Sequence, residues 1–171
     1  MKIKYISSII CMFICFFTNT ALEKPTLLIK LATRSRPQQF FKNLNIFYQK
    51  LSHEIPYLFL ISCDSNDETM NNPTVIKRLE SYPNLEYSFS ENNSKIEACN
   101  RGINEYDFDI LLAVHDDMQA MVQNFDQIIV NTMTEHFPDF DGVLNFHDGF
   151  VGGQCNTIPV VGKKFYERFG Y

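Results

Sequence analysis

No G-x-G-x-x-G follows the first apolar run of this sequence, and there is no P-loop, no G-x-S-x-G and no H-E-x-x-H. Those absences argue against a dinucleotide-dependent dehydrogenase, a kinase-like ATPase and a serine hydrolase. No stripe of lysine and arginine is present, which argues against a nucleic-acid partner. There is no internal repeat and no low-complexity tract. Cysteine is sparse and irregular. Cys11 and Cys15 sit in the leading segment, leaving Cys63, Cys99 and Cys155. An odd, widely spaced set is neither a disulfide framework nor a zinc pattern. Free thiols packed as small apolar groups are expected, with a single disulfide as the alternative.

What is present is ordinary globular material. Hydrophobic residues make up 45% of the 171 and charged residues 20%, with a formal net charge of −5. This fits one domain with a core that needs no disulfide staples. The first residues differ in kind. Lys2 and Lys4 precede an apolar run over 5–17, followed by Thr18-Asn19-Thr20-Ala21. A charged start, an apolar middle and a small-residue exit read as a secretory signal. The run is about 13 residues, short of the ~20 of a membrane span, and an uncleaved membrane anchor is the alternative. Residues 1–21 are therefore expected to be a signal peptide or short anchor. The protein would then be secreted, periplasmic or membrane-anchored, with residues 22–171 as the folded domain.

Along that domain, Thr26–Ala32 reads as a first strand and Ser35-Arg36-Pro37 as a helix start. Phe40, Phe41, Leu44, Phe47, Tyr48 and Leu51 recur at helical spacing. Tyr57–Cys63 is a second strand, Pro73–Ser81 a short helix, and Leu85–Phe89 a weak third strand. Ser94 caps a helix expected to run through Ile103. Asp109–Val114 is the clearest strand. A helix over Phe125–Phe137 would turn Ile128, Ile129, Met133 and Phe137 inward. Val143–Phe146 is another strand and Lys163–Phe169 a helix. Apolar strands alternating with amphipathic helices predict an α/β fold, a mainly parallel sheet covered on both faces. Such sheets bind ligands beyond the carboxyl ends of their strands.

The residues just after the strands are therefore the candidates. Asp116 and Asp117 close the most apolar strand, where two adjacent carboxylates repel each other and lose hydration. Mg²⁺ or Mn²⁺ would remove that cost and bridge to phosphate oxygens, with His115 as a further ligand or an orienting group. A solvated turn is the alternative. Asp64 could accept hydrogen bonds from a base or ribose, or close an Asx-turn, as could Asp67. Thr33, Arg34 and the following backbone suit an anionic ligand, or are a plain helix start. Lys95 and Arg101, flanking a helix, could reach a diphosphate or a base, or be solvated charges. His147-Asp148-Gly149 reads first as turn chemistry. Asn92-Asn93-Ser94 is a formal glycosylation sequon beside these residues.

Taken in order, TLLIKLATRSRP, YLFLISCDSND, NNSKIEACNRGI and DILLAVHDDM resemble consecutive blocks of glycosyltransferase family 2-like proteins, which have the GT-A fold. The resemblance continues through NFDQII, FPDFDGVLNFHDG and TIPVVGKKFYERFGY and spans about Thr26–Tyr171. It implies a Rossmann-like GT-A domain whose nucleotide-sugar site uses Thr33, Arg34, Asp64, Lys95, Arg101 and Asp116. The metal, Mn²⁺ or Mg²⁺, falls on Asp117, Asp116 and His115. The partners implied are a nucleotide-diphosphate sugar, a UDP-sugar above others, and an unidentified glycan, lipid or protein acceptor.

Two departures from the family matter. His115 stands at the first acidic position, so a strict Asp-x-Asp is absent. Family members also continue into an acceptor-binding half that supplies the base of inverting enzymes, and that half, with any catalytic base, is expected beyond Tyr171. The implied reaction is sugar transfer, with the metal offsetting charge on the leaving diphosphate. A catalytically inactive nucleotide- or glycan-binding module is the first alternative. A sugar nucleotidyltransferase is the second, disfavoured because the loop Thr33-Arg34-Ser35-Arg36-Pro37 has no glycine.

Overall fold

A computed structural model of the chain describes residues 24–146 and 158–168. The leading segment 1–21, His147-Asp148-Gly149, Cys155 and Phe169–Tyr171 lie outside the described residues. Among the described residues no helix is long and apolar enough to cross a membrane.

Six strands form one sheet: β1 (Leu27–Thr33), β2 (Tyr57–Asp64), β3 (Leu85–Ser90), β4 (Ile110–His115), β5 (Val143–Asn145) and β6 (Pro159–Gly162). Their order across the sheet is β3-β2-β1-β4-β6-β5. β1 pairs in parallel with β2 and with β4, and β2 pairs in parallel with β3. The expected α/β architecture is therefore present. β6 was not foreseen. It runs antiparallel between β4 and β5, and with four residues opening on Pro159 it carries too little period to stand out.

The helices are α1 (Pro37–Lys50), α2 (Pro73–Leu79), α3 (Lys95–Asn100), α4 (Phe125–His136) and α5 (Lys163–Glu167). Proline opens α1 and α2, where its missing N–H costs nothing. Phe40, Phe41, Leu44, Phe47 and Leu51 are buried against one sheet face, together with Val75 and Leu79 of α2 and Ile129, Val130 and Met133 of α4. Odd-numbered residues of β1 (Leu27, Ile29, Leu31) point to this large core. Leu28 points the other way, into a smaller cluster with Leu60, Ile103, Phe108 and Leu111. Helices thus cover both faces, unequally.

Two helix expectations change. α3 stops at Asn100, because Arg101 is extended and Gly102 takes the left-handed conformation at φ 77°, followed by a single 3-10 turn over Ile103–Glu105. Ile128, expected inward, is 41% exposed. The inward stripe of α4 is Asp126, Ile129, Val130 and Met133. It begins with a carboxylate, which an apolar pattern alone does not reveal. The Asp126 carboxylate accepts from the Ser52 N–H at 2.9 Å and the Ser52 hydroxyl at 2.6 Å.

The register brings the carboxyl ends of three strands level. Thr33 lies beside Cys63, and Ala32 beside His115. The chain leaves β1 for β2 on one side, and returns from β3 to β4 on the other side of β1, so a crevice opens at these ends.

Candidate functional site

The crevice is a cavity of about 320 Å³ lined by residues of four segments. Thr33 comes from the end of β1, Arg34 and Arg36 from the β1–α1 loop, and Asp64 from the end of β2. Asn92, Asn93, Ser94, Lys95 and Ala98 come from the β3–α3 connection and α3. His115, Asp116 and Asp117 come from the end of β4. Of the residues expected from sequence, Thr33, Arg34, Asp64, Lys95, His115, Asp116 and Asp117 are brought together here.

Arg101 is not among the lining residues. Its guanidinium is taken by the Glu97 carboxylate at 2.6 Å, by the Asn92 side-chain oxygen at 2.8 Å and by the Glu91 carbonyl at 3.0 Å. Arg101 therefore supports the cavity wall from behind. Asn92 in turn donates to the Asp64 carboxylate at 2.7 Å. The other Asp64 oxygen pairs with Arg34 at 3.0 Å. Asp64 is thus a cavity carboxylate, whereas Asp67 makes the Asx-turn, accepting from the Thr69 N–H and hydroxyl.

Asp67 also reaches across to the first loop. Its Oδ2 accepts from the Ser35 N–H at 2.5 Å. Ser35 has φ 60°, a left-handed conformation uncommon outside glycine, and this bond holds it there. The kink sits between Arg34 and Arg36, both of which line the cavity. Burial works to raise the Asp67 pKa, but bonds from Thr69, Ser35 and Met70 outweigh it and hold the carboxyl below its ordinary value.

Asp116 and Asp117 are adjacent yet differently placed. Asp116 is 3% exposed. Its carboxylate accepts from the Thr33 hydroxyl at 2.9 Å and pairs with Arg36 at 2.5 Å, and its carbonyl accepts from Asn43 at 2.7 Å. Both oxygens expected to hold a metal or a ligand are engaged by the protein itself. The Asp117 side chain is 60% exposed, and its nearest cation is Arg36 at 3.9 Å. His115 has a buried Nδ1 with no hydrogen-bond partner. Burial, then the Lys95 ammonium, lowers the His115 pKa against the pull of Asp117 and Asp116, which favours the neutral imidazole.

Among the described residues no three His, Cys, Asp or Glu side chains converge as a metal cage. The donor set nonetheless fits a cation of the Mg²⁺ or Mn²⁺ type that shares its ligands with a phosphate. Asp117 offers an open carboxylate, and His115 an unpartnered nitrogen.

Sequence reasoning missed the supports. Asn43 falls at helical spacing with Phe40, Leu44 and Phe47, an amide on an apolar stripe. It is 1% exposed and clamps the Asp116 turn to α1. That interruption of the stripe is the signal that could have found it. Arg36 and Asn92 were noticed only as parts of a loop and a sequon. No comparable signal marks their pairing.

No protein-family model matches the chain, and no curated protein matches it by sequence. Solved structures do match its fold. A mannosyltransferase from Pyrobaculum calidifontis, in complex with GDP-Man and Mn²⁺, superposes with a TM-score of 0.66 over 86% of this chain and 47% of its own, at 14% identity. TarS of S. aureus (residues 1–349) superposes with a TM-score of 0.51 over 66% of this chain and 33% of its own, at 15% identity. The same protein in complex with UDP gives a TM-score of 0.53, over 65% of this chain and 32% of its own, at 11% identity. The chain spans less than half the length of these proteins. Strand order, layering and these superpositions agree, and this chain has the α/β GT-A fold, shared with the mannosyltransferase and TarS.

Proposed function

We propose that this chain is the nucleotide-sugar-binding half of a glycosyltransferase that moves a sugar from a nucleotide-diphosphate donor to an acceptor hydroxyl. The supporting observation is the cavity at the ends of β1, β2 and β4, where Arg34, Lys95, Asp64 and Asp117 meet in one crevice. Asp64, pinned by Asn92, accepts from the base or ribose of the donor. Arg34 and Lys95 take the diphosphate, and the loop at Thr33 shapes the floor beneath it. Asp117 with His115 would hold Mn²⁺ or Mg²⁺. That cation, when bound, supplies positive charge against the leaving diphosphate. Asp116 contributes charge and rigidity behind them. A UDP-sugar is the favoured donor. The acceptor is a glycan, lipid or protein, and its activating base is assigned to none of the described side chains. Export or anchoring through residues 1–21, with membrane association through 5–17, belongs to the same reading.

A second reading, a binding module without turnover, draws support from the saturated Asp116 carboxylate, which accepts from Thr33 and Arg36 and leaves Asp117 as the open acid. Turnover of a UDP-sugar separates the two readings.

The donor site is tested by titrating UDP, then GDP, into the full chain with Mn²⁺ by calorimetry, with Asp117→Ala as control. Metal-dependent binding is expected, weakened by about tenfold or more in the variant. Folded protein that binds neither nucleotide overturns the reading.

A further inference from the structure

Arg36 is the cation seated at the acidic pair. It is the residue immediately before α1, followed by Pro37, and its side chain makes no capping bond to the helix. Its backbone is held between the Ser35 kink and the first helical turn. One nitrogen of its guanidinium pairs with Asp116 at 2.5 Å, and the other lies 3.9 Å from Asp117. A single planar fork therefore spans both carboxylates. The two partners differ in freedom. The Asp116 side chain is 4% exposed and is fixed by Thr33, whereas the Arg36 side chain is 52% exposed. Arg36 can leave the pair, and Asp116 cannot.

An incoming divalent cation meets two obstacles. The outward oxygen of Asp116 is occupied, and a full positive charge sits within 4 Å of Asp117. A diphosphate offers the guanidinium a bidentate partner of higher charge than one carboxylate. We propose that Arg36 is a built-in counter-ion that competes with a divalent metal for the Asp116–Asp117 pair, and that a diphosphate admits the metal by drawing Arg36 away. The first part concerns the metal alone; the second rests on the donor-site reading above. The device orders binding, keeping the acidic pair partly charge-compensated and closed to metal until a donor is present. It also reduces the cost of two adjacent carboxylates in the empty site, the cost that made a metal attractive from sequence.

The test titrates Mn²⁺ alone, without nucleotide, into the full chain and follows free Mn²⁺ by electron paramagnetic resonance. Arg36→Met keeps length and removes charge; Arg36→Lys keeps charge and loses the fork. Thermal melting followed by circular dichroism establishes that each variant is folded. The Met variant is expected to bind Mn²⁺ at least about tenfold more tightly than the parent, with the Lys variant close to the parent. Equal or weaker Mn²⁺ binding by a folded Met variant overturns the proposal. If the Met variant does not fold, Arg36→Gln is judged by the same criterion. A UDP titration with Mn²⁺ on the parent runs alongside. A parent that binds UDP with Mn²⁺, beside a Met variant with unchanged Mn²⁺ affinity, sinks the counter-ion and leaves the donor site standing. A parent that binds no nucleotide sinks the donor reading and with it the diphosphate step. Tighter Mn²⁺ binding by the Met variant still upholds the competition.

Discussion

The ammonium of Lys30, in the middle of the central strand, donates to the carbonyl oxygen of Arg101 across 2.7 Å. Lys30 is 1% exposed, and its other partner is the Ser62 hydroxyl. It holds the residue at which α3 ends. From Arg101 the bonds run through Asn92 to Asp64 and on to Arg34. A buried charge under the small face of the sheet is thus tied to the wall of the cavity.

Lys30 makes stability depend on pH in a defined direction. Burial is the largest cause, and it lowers the Lys30 pKa from 10.5 to about 8. Arg101 lowers it further, while Cys99, Cys63 and Glu105 act to raise it. Between those two values the unfolded chain holds more proton, so stability rises with pH. Burial raises the Cys63 thiol from 9.0 to about 12, and above pH 9 this acts in the opposite sense. The window is therefore about pH 8 to 9. Urea unfolding should show a gain on the order of 1 kcal/mol across it. Lys30→Met should flatten that rise. A rise of equal size in the variant would assign it to another group.

Asn92 is the joint between Arg101 and Asp64. Asn92→Leu removes a donor to the Asp64 carboxylate and an acceptor for Arg101. Affinity for UDP in the presence of Mn²⁺ should fall by about tenfold, or ~1.4 kcal/mol. Asn92 is half-buried in a loop, so the melting temperature should move little. Calorimetry and thermal melting on the same preparation check both halves. Unchanged affinity would mean that Asp64 needs no support, or that it does not meet the nucleotide.

Asp126 provides the contrast. It is 0% exposed and bonds Ser52, just past the end of α1 away from the cavity. The 14-residue helix α1 separates the two ends by about 20 Å. Asp126→Ala strands the Ser52 N–H and hydroxyl, and should cost about 2–4 kcal/mol in guanidinium unfolding. UDP affinity of the folded variant should stay within about twofold of the parent, since separated sites act independently. A large affinity loss would show that the two ends are coupled through α1.

Much of the frame was legible because local patterns and the fold agree. The apolar runs at Leu27–Thr33, Tyr57–Asp64 and Ile110–His115 are strands that pair in parallel. Pro37 and Pro73 open their helices, and Ser94 caps α3 by accepting from the Glu97 N–H at 3.1 Å. In a parallel sheet, residues that follow strands share one edge. That rule alone picked out Thr33, Arg34, Asp64, His115, Asp116 and Asp117 as neighbours.

Where the reading slipped, side chains acted through partners distant in sequence. Asp126 lies outside the apolar pattern of its helix, and is buried because Ser52 satisfies it. Arg101 looked like a ligand-reaching cation, and is spent on Glu97, Asn92 and Glu91. β6 was missed because its existence depends on lying between β4 and β5, and its own four residues carry no strong signal.

The sequence by itself determined the class of fold and the edge at which the chemistry-bearing residues gather, since both follow from periodicity and from the geometry of parallel strands. Only the tertiary structure decided how those residues divide the work. Asp116 and Asp117 are identical in type and adjacent in sequence, yet one is buried between Thr33 and Arg36 and the other is exposed. Consecutive side chains leaving a strand point to opposite sides, and which side holds a partner depends on segments some 80 residues away.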